Sequence, residues 1–334
     1  MIRRPPRSTP SNSSAASDVY KRQGEENLLS MTIVLPTGEL LKTGEAAAPA
    51  SDKPYDPMGA TMFSFLNKIW FGAQGTLGIV TDGIVKLKTL HESNEVFFIP
   101  FDKVQNSFKA LREIGWLRLG EEVFVMNSTE LALMLAKTPD KVPELREQLP
   151  PYTLVIVLRG SREEVDYQEK DLRDLASKLG LKLMTELPGV EDAREAILKE
   201  IEYPEGWKKT SKYKGARNTL PFITPWKRIP IYDEIVYELA MKYKYPPADI
   251  GFLLIPAEIG RGPCHYSFSR DPNNPEETEK VKRIYYEAAE RMVRMGAFFS
   301  RPYGRLAEIV YKRAPTYYLT IKKFKELVDP NGIM

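Results

Sequence analysis

Phe71-Gly72-Ala73-Gln74-Gly75-Thr76-Leu77-Gly78-Ile79-Val80-Thr81 joins a helical segment to a strand and puts three glycines into seven residues. Glycine accepts backbone dihedrals that a side chain forbids and lets main chain come close to a ligand. Gly75 and Gly78 frame a turn, and Ile79, Val80, Ile84, Val85 and Leu87 read as a buried strand that holds this turn still. Such a turn offers N–H and C=O groups to a flat polar cofactor. A glycine-rich bend ahead of a strand is also ordinary packing, so the neighbouring segments have to decide.

Upstream, Ser30 to Gly44 reads as a strand, a Pro36-Thr37-Gly38 turn and a second strand, hence a β-hairpin. The chain closes on Phe324-Lys325-Glu326-Leu327-Val328-Asp329-Pro330-Asn331-Gly332-Ile333-Met334. The hairpin, a helix, the glycine segment and this closing segment, in that order, resemble flavoproteins of the vanillyl-alcohol oxidase and p-cresol methylhydroxylase type. The resemblance implies an α+β fold in three parts. The second half of a p-cresol methylhydroxylase-type FAD-binding domain is expected over 24–90, and an antiparallel-sheet cap domain with helices on one face over 91–300. A helical segment, 301–334, then returns to the FAD domain. FAD is the implied cofactor, set against Gly75, Thr76, Gly78, Ile79, Val80 and Asn331. The resemblance further implies a C-terminal fragment, without the half that cradles the FAD pyrophosphate and inactive alone. Residues 1–23, rich in Arg, Ser and Pro, hold too little apolar surface to fold and resemble translated sequencing-adapter DNA more than a leader.

Composition narrows the classes. The 334 residues, 43% of them hydrophobic, suffice for two domains with substantial cores. A net charge of +3 dispersed through mixed runs argues against a nucleic-acid partner. No apolar run reaches the length of about 18 residues that a spanning helix needs. The single cysteine, Cys264, excludes an internal disulfide and fits a cytoplasmic location. Two histidines, His91 and His265, exclude a multi-histidine metal centre, so no metal is expected.

Beyond Leu87 the pattern alternates. Strands are expected at Glu95–Pro100, Glu122–Met126, Tyr152–Arg159 and Leu181–Thr185. Helices are expected at 102–114 capped by Asp102, at 128–136 capped by Ser128, and at 161–179 ending on Gly180. A helix at Ile231–Tyr243, paired strands at Gly251–Ile259 and Pro263–Ser269, and a helix at Pro275–Met295 complete an α+β pattern. Between them Tyr203–Trp226, rich in Lys, Gly, Pro and aromatics, reads as a long connection, either functional or disordered.

Three segments carry candidate chemistry. In the strand around His265, alternation puts Cys264, Tyr266 and Phe268 on one face and His265, Ser267 and Ser269 on the other. It reads either as an ordinary sheet strand or, with Tyr266 or His265, as part of a substrate site. The aromatic loop Gly296–Arg305 carries Arg301, which the resemblance places beside anionic charge on substrate or flavin, with Tyr303 as a phenol; a structural ion pair with Glu308 is the alternative. Arg217, in Gly215–Trp226, has the chemistry to bind a carboxylate. The resemblance implies an FAD-dependent oxidoreductase that passes a hydride from a 2-hydroxy acid, aromatic alcohol or phenol to flavin N5. A non-redox FAD enzyme of the ether-lipid type and a non-catalytic α+β subunit or binding module are the alternatives. The implied partner is a small-molecule substrate, with the electron acceptor and a homo-oligomer left open.

Overall fold

The computed structural model describes residues 28–47, 67–85, 87, 91–203, 213–257, 259–300 and 302–334. Residues 1–23 and Arg301 lie outside them. The elements begin with β1 (Leu28–Val34), β2 (Leu40–Lys42), α1 (Asn67–Trp70), β3 (Ile79–Val85) and β4 (Ser93–Phe101). Next come α2 (Phe108–Leu117), β5 (Glu122–Asn127), α3 (Ser128–Leu135), α4 (Val142–Gln148), β6 (Tyr152–Gly160), α5 (Arg162–Leu179) and α6 (Ala193–Glu202). The chain ends with β7 (Ala216–Pro225), α7 (Ile229–Lys242), β8 (Ile250–Leu254), β9 (Arg261–Arg270), α8 (Pro275–Arg294), α9 (Arg305–Tyr311) and α10 (Pro315–Val328). These elements fall into two compact units, His91–Leu306 on one side and Arg22–Leu90 with Ala307–Met334 on the other.

In the second of these, β1 and β2 form the expected hairpin, with Val34 opposite Leu40 and Thr32 opposite Lys42. β3 pairs antiparallel on the other side of β1, giving the order β2-β1-β3. Leu29, Met31 and Ile33 of β1 are buried, but β3 is not the buried strand that its composition predicts. Ile79 is 57% exposed, Val80 50% and Leu87 66%. The physical reason is position: β3 has one sheet neighbour among the described residues and no helix packed along it. The closing segment is organised by Asp329. Its carboxylate accepts from the amides of Ile333 (3.0 Å) and Met334 (2.9 Å) and pairs with Lys325, whose ammonium also donates to the Thr76 carbonyl at 2.7 Å. Asn331 is exposed.

The other unit is built on an antiparallel sheet of order β4-β6-β5-β8-β9-β7. Phe97, Val125, Ile156, Phe252, Tyr266 and Phe222 lie on one face, covered by α2, α5, α7 and α8. The Arg173 guanidinium of α5, 5.6 Å from the Phe97 ring centroid, marks that side. Phe222 meets Tyr232 edge-on at 5.5 Å and stacks with Tyr266 at 5.6 Å. Aromatic pairs of this kind add about 0.5–1.5 kcal/mol each beyond their buried area. Over the β4–β6–β5 end, the opposite face is also covered, by α3, α4 and α6 packed on Val96, Phe98, Met126 and Val155.

Helix boundaries follow local chemistry. α5 opens with a capping box, Ser161 and Glu164 each bonding the other's backbone N–H, and closes on left-handed Gly180 at φ 66°. The cap of α3 is Asn127 and not Ser128, because the Asn127 carboxamide accepts the Glu130 amide at 2.9 Å. Asp102 caps nothing, since a 3-10 turn over Val104–Ser107 precedes α2 and Lys103 stands at its start. Leu181–Thr185 contributes only an isolated bridge between Met184 and Phe98. The expected loop up to Trp226 contains β7, paired with β9 over its whole length. Pro221 and Pro225 disguise it, and they are tolerated because β7 is the edge strand of this sheet and neither position has to supply an amide on its outer side.

Asn127 does more than cap. Its Oδ1 also accepts from the Phe252 amide at 2.9 Å and its Nδ2 donates to the Ile250 carbonyl at 2.8 Å, so one buried carboxamide joins α3 to β8. Asn127→Ala removes all three bonds and strands three backbone groups, and we expect a loss of about 2–3 kcal/mol, read from the urea midpoint.

Candidate functional site

On the face opposite Tyr266, the β8–β9–β7 end of the sheet carries a charged cluster. Glu130, in the first turn of α3, is swung over β8 by the Asn127 join. Its Oε1 takes Arg217 Nη2 of β7 and lies 3.3 Å from His265 Nε2 of β9, while Oε2 accepts from Ser267 Oγ at 2.8 Å. Arg217 Nη2 also stands 3.3 Å from His265 Nε2. The fit depends on Gly251, opposite Ser267 in the ladder, where any Cβ would collide with Glu130 Oε2 and Ser267 Oγ. Burial alone raises a carboxyl pKa. Here the Arg217 charge and the bonds from His265 and Ser267 overcome it and hold Glu130 well below the ordinary carboxylate range.

The cluster borders solvent. The Glu130 side chain is 7% exposed, that of Arg217 14% and that of His265 21%. Arg217 Nε is buried without a hydrogen-bond partner. Along the same face β7 contributes Thr219, Pro221 and Ile223, each at least partly exposed. Ile223 exchanges backbone hydrogen bonds of 2.7 and 3.0 Å with Phe298, which sets this aromatic, 60% exposed, on the same side of the sheet edge. A polar cluster of fixed charges thus adjoins an apolar shelf, an arrangement suited to a small molecule with a polar reacting group and a hydrophobic body.

The predicted residues fare differently. His265 belongs to the cluster. Tyr266 does not: it is fully buried on the other face, with its hydroxyl donating to Asp233 at 2.5 Å. Strand alternation requires this separation, so Tyr266 and His265 cannot serve one site. Tyr303 is 61% exposed, with no contact to the cluster, and its partner Arg301 is outside the described residues. In the glycine turn, Gly72, Gln74, Gly75 and Gly78 all have positive φ. Gly75 has open space where a Cβ would stand, and Thr76 Oγ1 donates to the Ala73 carbonyl at 2.7 Å. Gly78 is held by its own chain, because a Cβ there would lie 2.8 Å from the Val34 carbonyl and 2.9 Å from Ile33.

Sequence reasoning missed Glu130. Asn127-Ser128-Thr129-Glu130 is a helix-start pattern that assigns the glutamate to local capping. The available signal was Gly251, an isolated glycine inside an apolar strand, which marks the close approach of another group.

Residues 90–334 match the family model described as FAD linked oxidases, C-terminal domain. The chain is 23% identical over 320 residues to an uncharacterized FAD-linked oxidoreductase, Rv2280, of Mycobacterium tuberculosis, covering 92% of this chain and 63% of that one. It is 22% identical over 309 residues to the glycolate oxidase subunit GlcD of Bacillus subtilis, covering 90% of this chain and 58% of that one. The fold matches the crystal structure of substrate-bound p-cresol methylhydroxylase with a TM-score of 0.71 at 17% identity, over 91% of this chain and 63% of that one. The chain spans less than two thirds of the length of these curated relatives.

Asp233, beneath Tyr266, gives this unit a pH signature. Burial, with a smaller contribution from the Glu234 charge, pushes its pKa up to about 7 against the Tyr266 bond, which favours the anion. The folded state therefore holds a proton that the unfolded chain releases near pH 4. This contribution is complete below that pH and is lost as pH rises through 7. Asp233→Asn is expected to flatten the decline between pH 5 and about 7.5, measured as urea midpoints across the range.

Proposed function

Since the chain belongs to the FAD-linked oxidases through their C-terminal domain, we propose that it serves the FAD-dependent oxidation of a small substrate at a C–H bond, either a 2-hydroxy acid or an aromatic alcohol or phenol. The observation that carries this reading is the solvent-bordering face of β7 and β9, where Arg217 and His265 stand beside the shelf of Pro221, Ile223 and Phe298. FAD, when bound, supplies the acceptor for a hydride. The residues present fit part of that group. The turn at Gly72–Gly78 exposes main chain, with open space at Gly75 and with Ile79 and Val80 exposed beside it. In this reading Gly75, Thr76, Gly78, Ile79, Val80 and Asn331 hold the cofactor, Gly78 by shaping the turn against Val34.

The residues of the cap sheet orient and polarise. The part of the Arg217 guanidinium that borders solvent donates to an acceptor atom of the substrate, the apolar shelf excludes water from its body, and His265 takes the hydroxyl proton. Arg301 and Tyr303 stabilise negative charge that develops during the reaction, the role the family resemblance gives them. A glycolate oxidase subunit among the relatives supports the 2-hydroxy acid class, and the exposed Phe298 supports an aromatic body.

The test is anaerobic mixing of the FAD-loaded protein with 2-hydroxy acids, benzylic alcohols and phenols, following flavin absorbance. Bleaching by one class is expected. Arg301→Lys keeps the charge but loses the planar fork, and the reductive step should slow by about 10²-fold, as on removal of one oriented electrostatic donor. A flavin that no member of the panel bleaches would refute the redox reading and favour a non-redox or binding role. A second variant, Gly75→Ala, should weaken FAD retention while leaving the β1–β3 sheet folded, read by flavin content and circular dichroism.

A further inference from the structure

The chemistry assigned to His265 requires one ring nitrogen to be bare and accessible at neutral pH, and a free imidazole populates two tautomers. The cluster decides between them. His265 Nε2 lies 3.3 Å from both Glu130 Oε1 and Arg217 Nη2, so it faces an acceptor and a donor at once. The donor is already committed, because Arg217 Nη2 bonds Glu130 Oε1. The two N–H bonds of a guanidinium nitrogen diverge by about 120°. In so tight a triangle the imidazole and the carboxylate subtend little more than half that angle at Nη2. Glu130 and the ring therefore divide the Nη2 N–H groups between them, and neither N–H aligns fully with Nε2. An ionised carboxylate is also the stronger partner for a ring N–H than a shared guanidinium is for a bare nitrogen.

Resting on the oxidoreductase reading above, we infer that Glu130 is the positioning residue of the site: it holds the proton of neutral His265 on Nε2 and leaves Nδ1 bare as the base. Among the described residues, the side-chain hydrogen bonds of His265 all run through Nε2, and the ring is partly exposed. Arg217 and Ser267 keep Glu130 charged, and Gly251 clears the space in which it sits. With an alcohol bound, the substrate O–H proton would pass to Nδ1 as the carbon–oxygen single bond becomes a carbonyl, and FAD, when bound, would supply the acceptor for the C–H hydrogen and its electron pair. His265 then carries a proton on each nitrogen, with the Glu130 carboxylate beside Nε2–H.

His91 and His265 are the only histidines in the chain, which makes the tautomer directly measurable. The full chain is labelled with ¹⁵N-histidine, His91→Gln assigns the spectrum, and long-range ¹H–¹⁵N correlations at neutral pH identify the protonated nitrogen. The expected result is Nε2–H for His265. In Glu130→Met, Nε2 keeps Arg217 as its charged neighbour and becomes an acceptor, so the proton should move to Nδ1. In Arg217→Met it should stay on Nε2. If Glu130→Met does not fold, Gly251→Ala displaces the carboxylate without changing a charge and should perturb the tautomer in the same direction.

Nδ1–H or equal populations in the parent protein, or an unchanged tautomer in folded Glu130→Met, would overturn the inference. In the FAD-loaded protein, Glu130→Met should also lower the rate of flavin reduction by about 10²-fold or more with little change in KM, the range for a misplaced general base. Failure of the whole substrate panel would count against the oxidoreductase reading alone, because the tautomer is read without turnover.

Discussion

The site depends on a side-chain amide that does no chemistry. Asn127 ends β5, caps α3 and grips β8, so it fixes the angle at which the first turn of α3 crosses the sheet. Without that grip Glu130 would be one more acidic residue near a helix start, favourable to the dipole and free to face water. With it, the carboxylate is delivered over Gly251, between two strands that are remote from it in sequence. The geometry is inexpensive in residues: one carboxamide, one glycine and one serine place a charge to within hydrogen-bonding distance of three partners.

The two faces of the same strands show how function is segregated. On the Tyr266 side, alternate residues build an aromatic core with Phe222, Tyr232 and Phe252, and the carboxyl of Asp233 against it is raised toward neutrality by its burial. On the His265 side, the carboxyl is kept ionised by the charge beside it. Two carboxyls on opposite faces of one sheet are thus driven in opposite directions, one by desolvation and the other by a guanidinium. Only the second retains a charge that can orient another group at every pH where the protein would work.

Much of the architecture is legible in the sequence because it rests on short-range rules. The hairpin at Pro36-Thr37-Gly38, the helix that starts at Ser161 and stops at Gly180, and the apolar run of β6 declare themselves from local chemistry. What escaped was long-range. β7 carries two prolines, and a proline in a strand is acceptable only at an edge, which no local reading identifies. β3 has the composition of a buried strand but no neighbour to bury it among the described residues. Alternation correctly separated His265 from Tyr266. The partner of His265 was hidden, because Glu130 lies 135 residues away and local rules assign it to its own helix.

The pairing of Phe298 with Ile223 has a consequence for affinity. A connection between two helices that became ordered only when a ligand arrived would cost about 1–2 kcal/mol of backbone entropy for each residue fixed. Here the sheet edge takes up the backbone of Phe298 while the protein folds. That entropy is lost once, in folding, and is not charged again against each molecule that binds beside it.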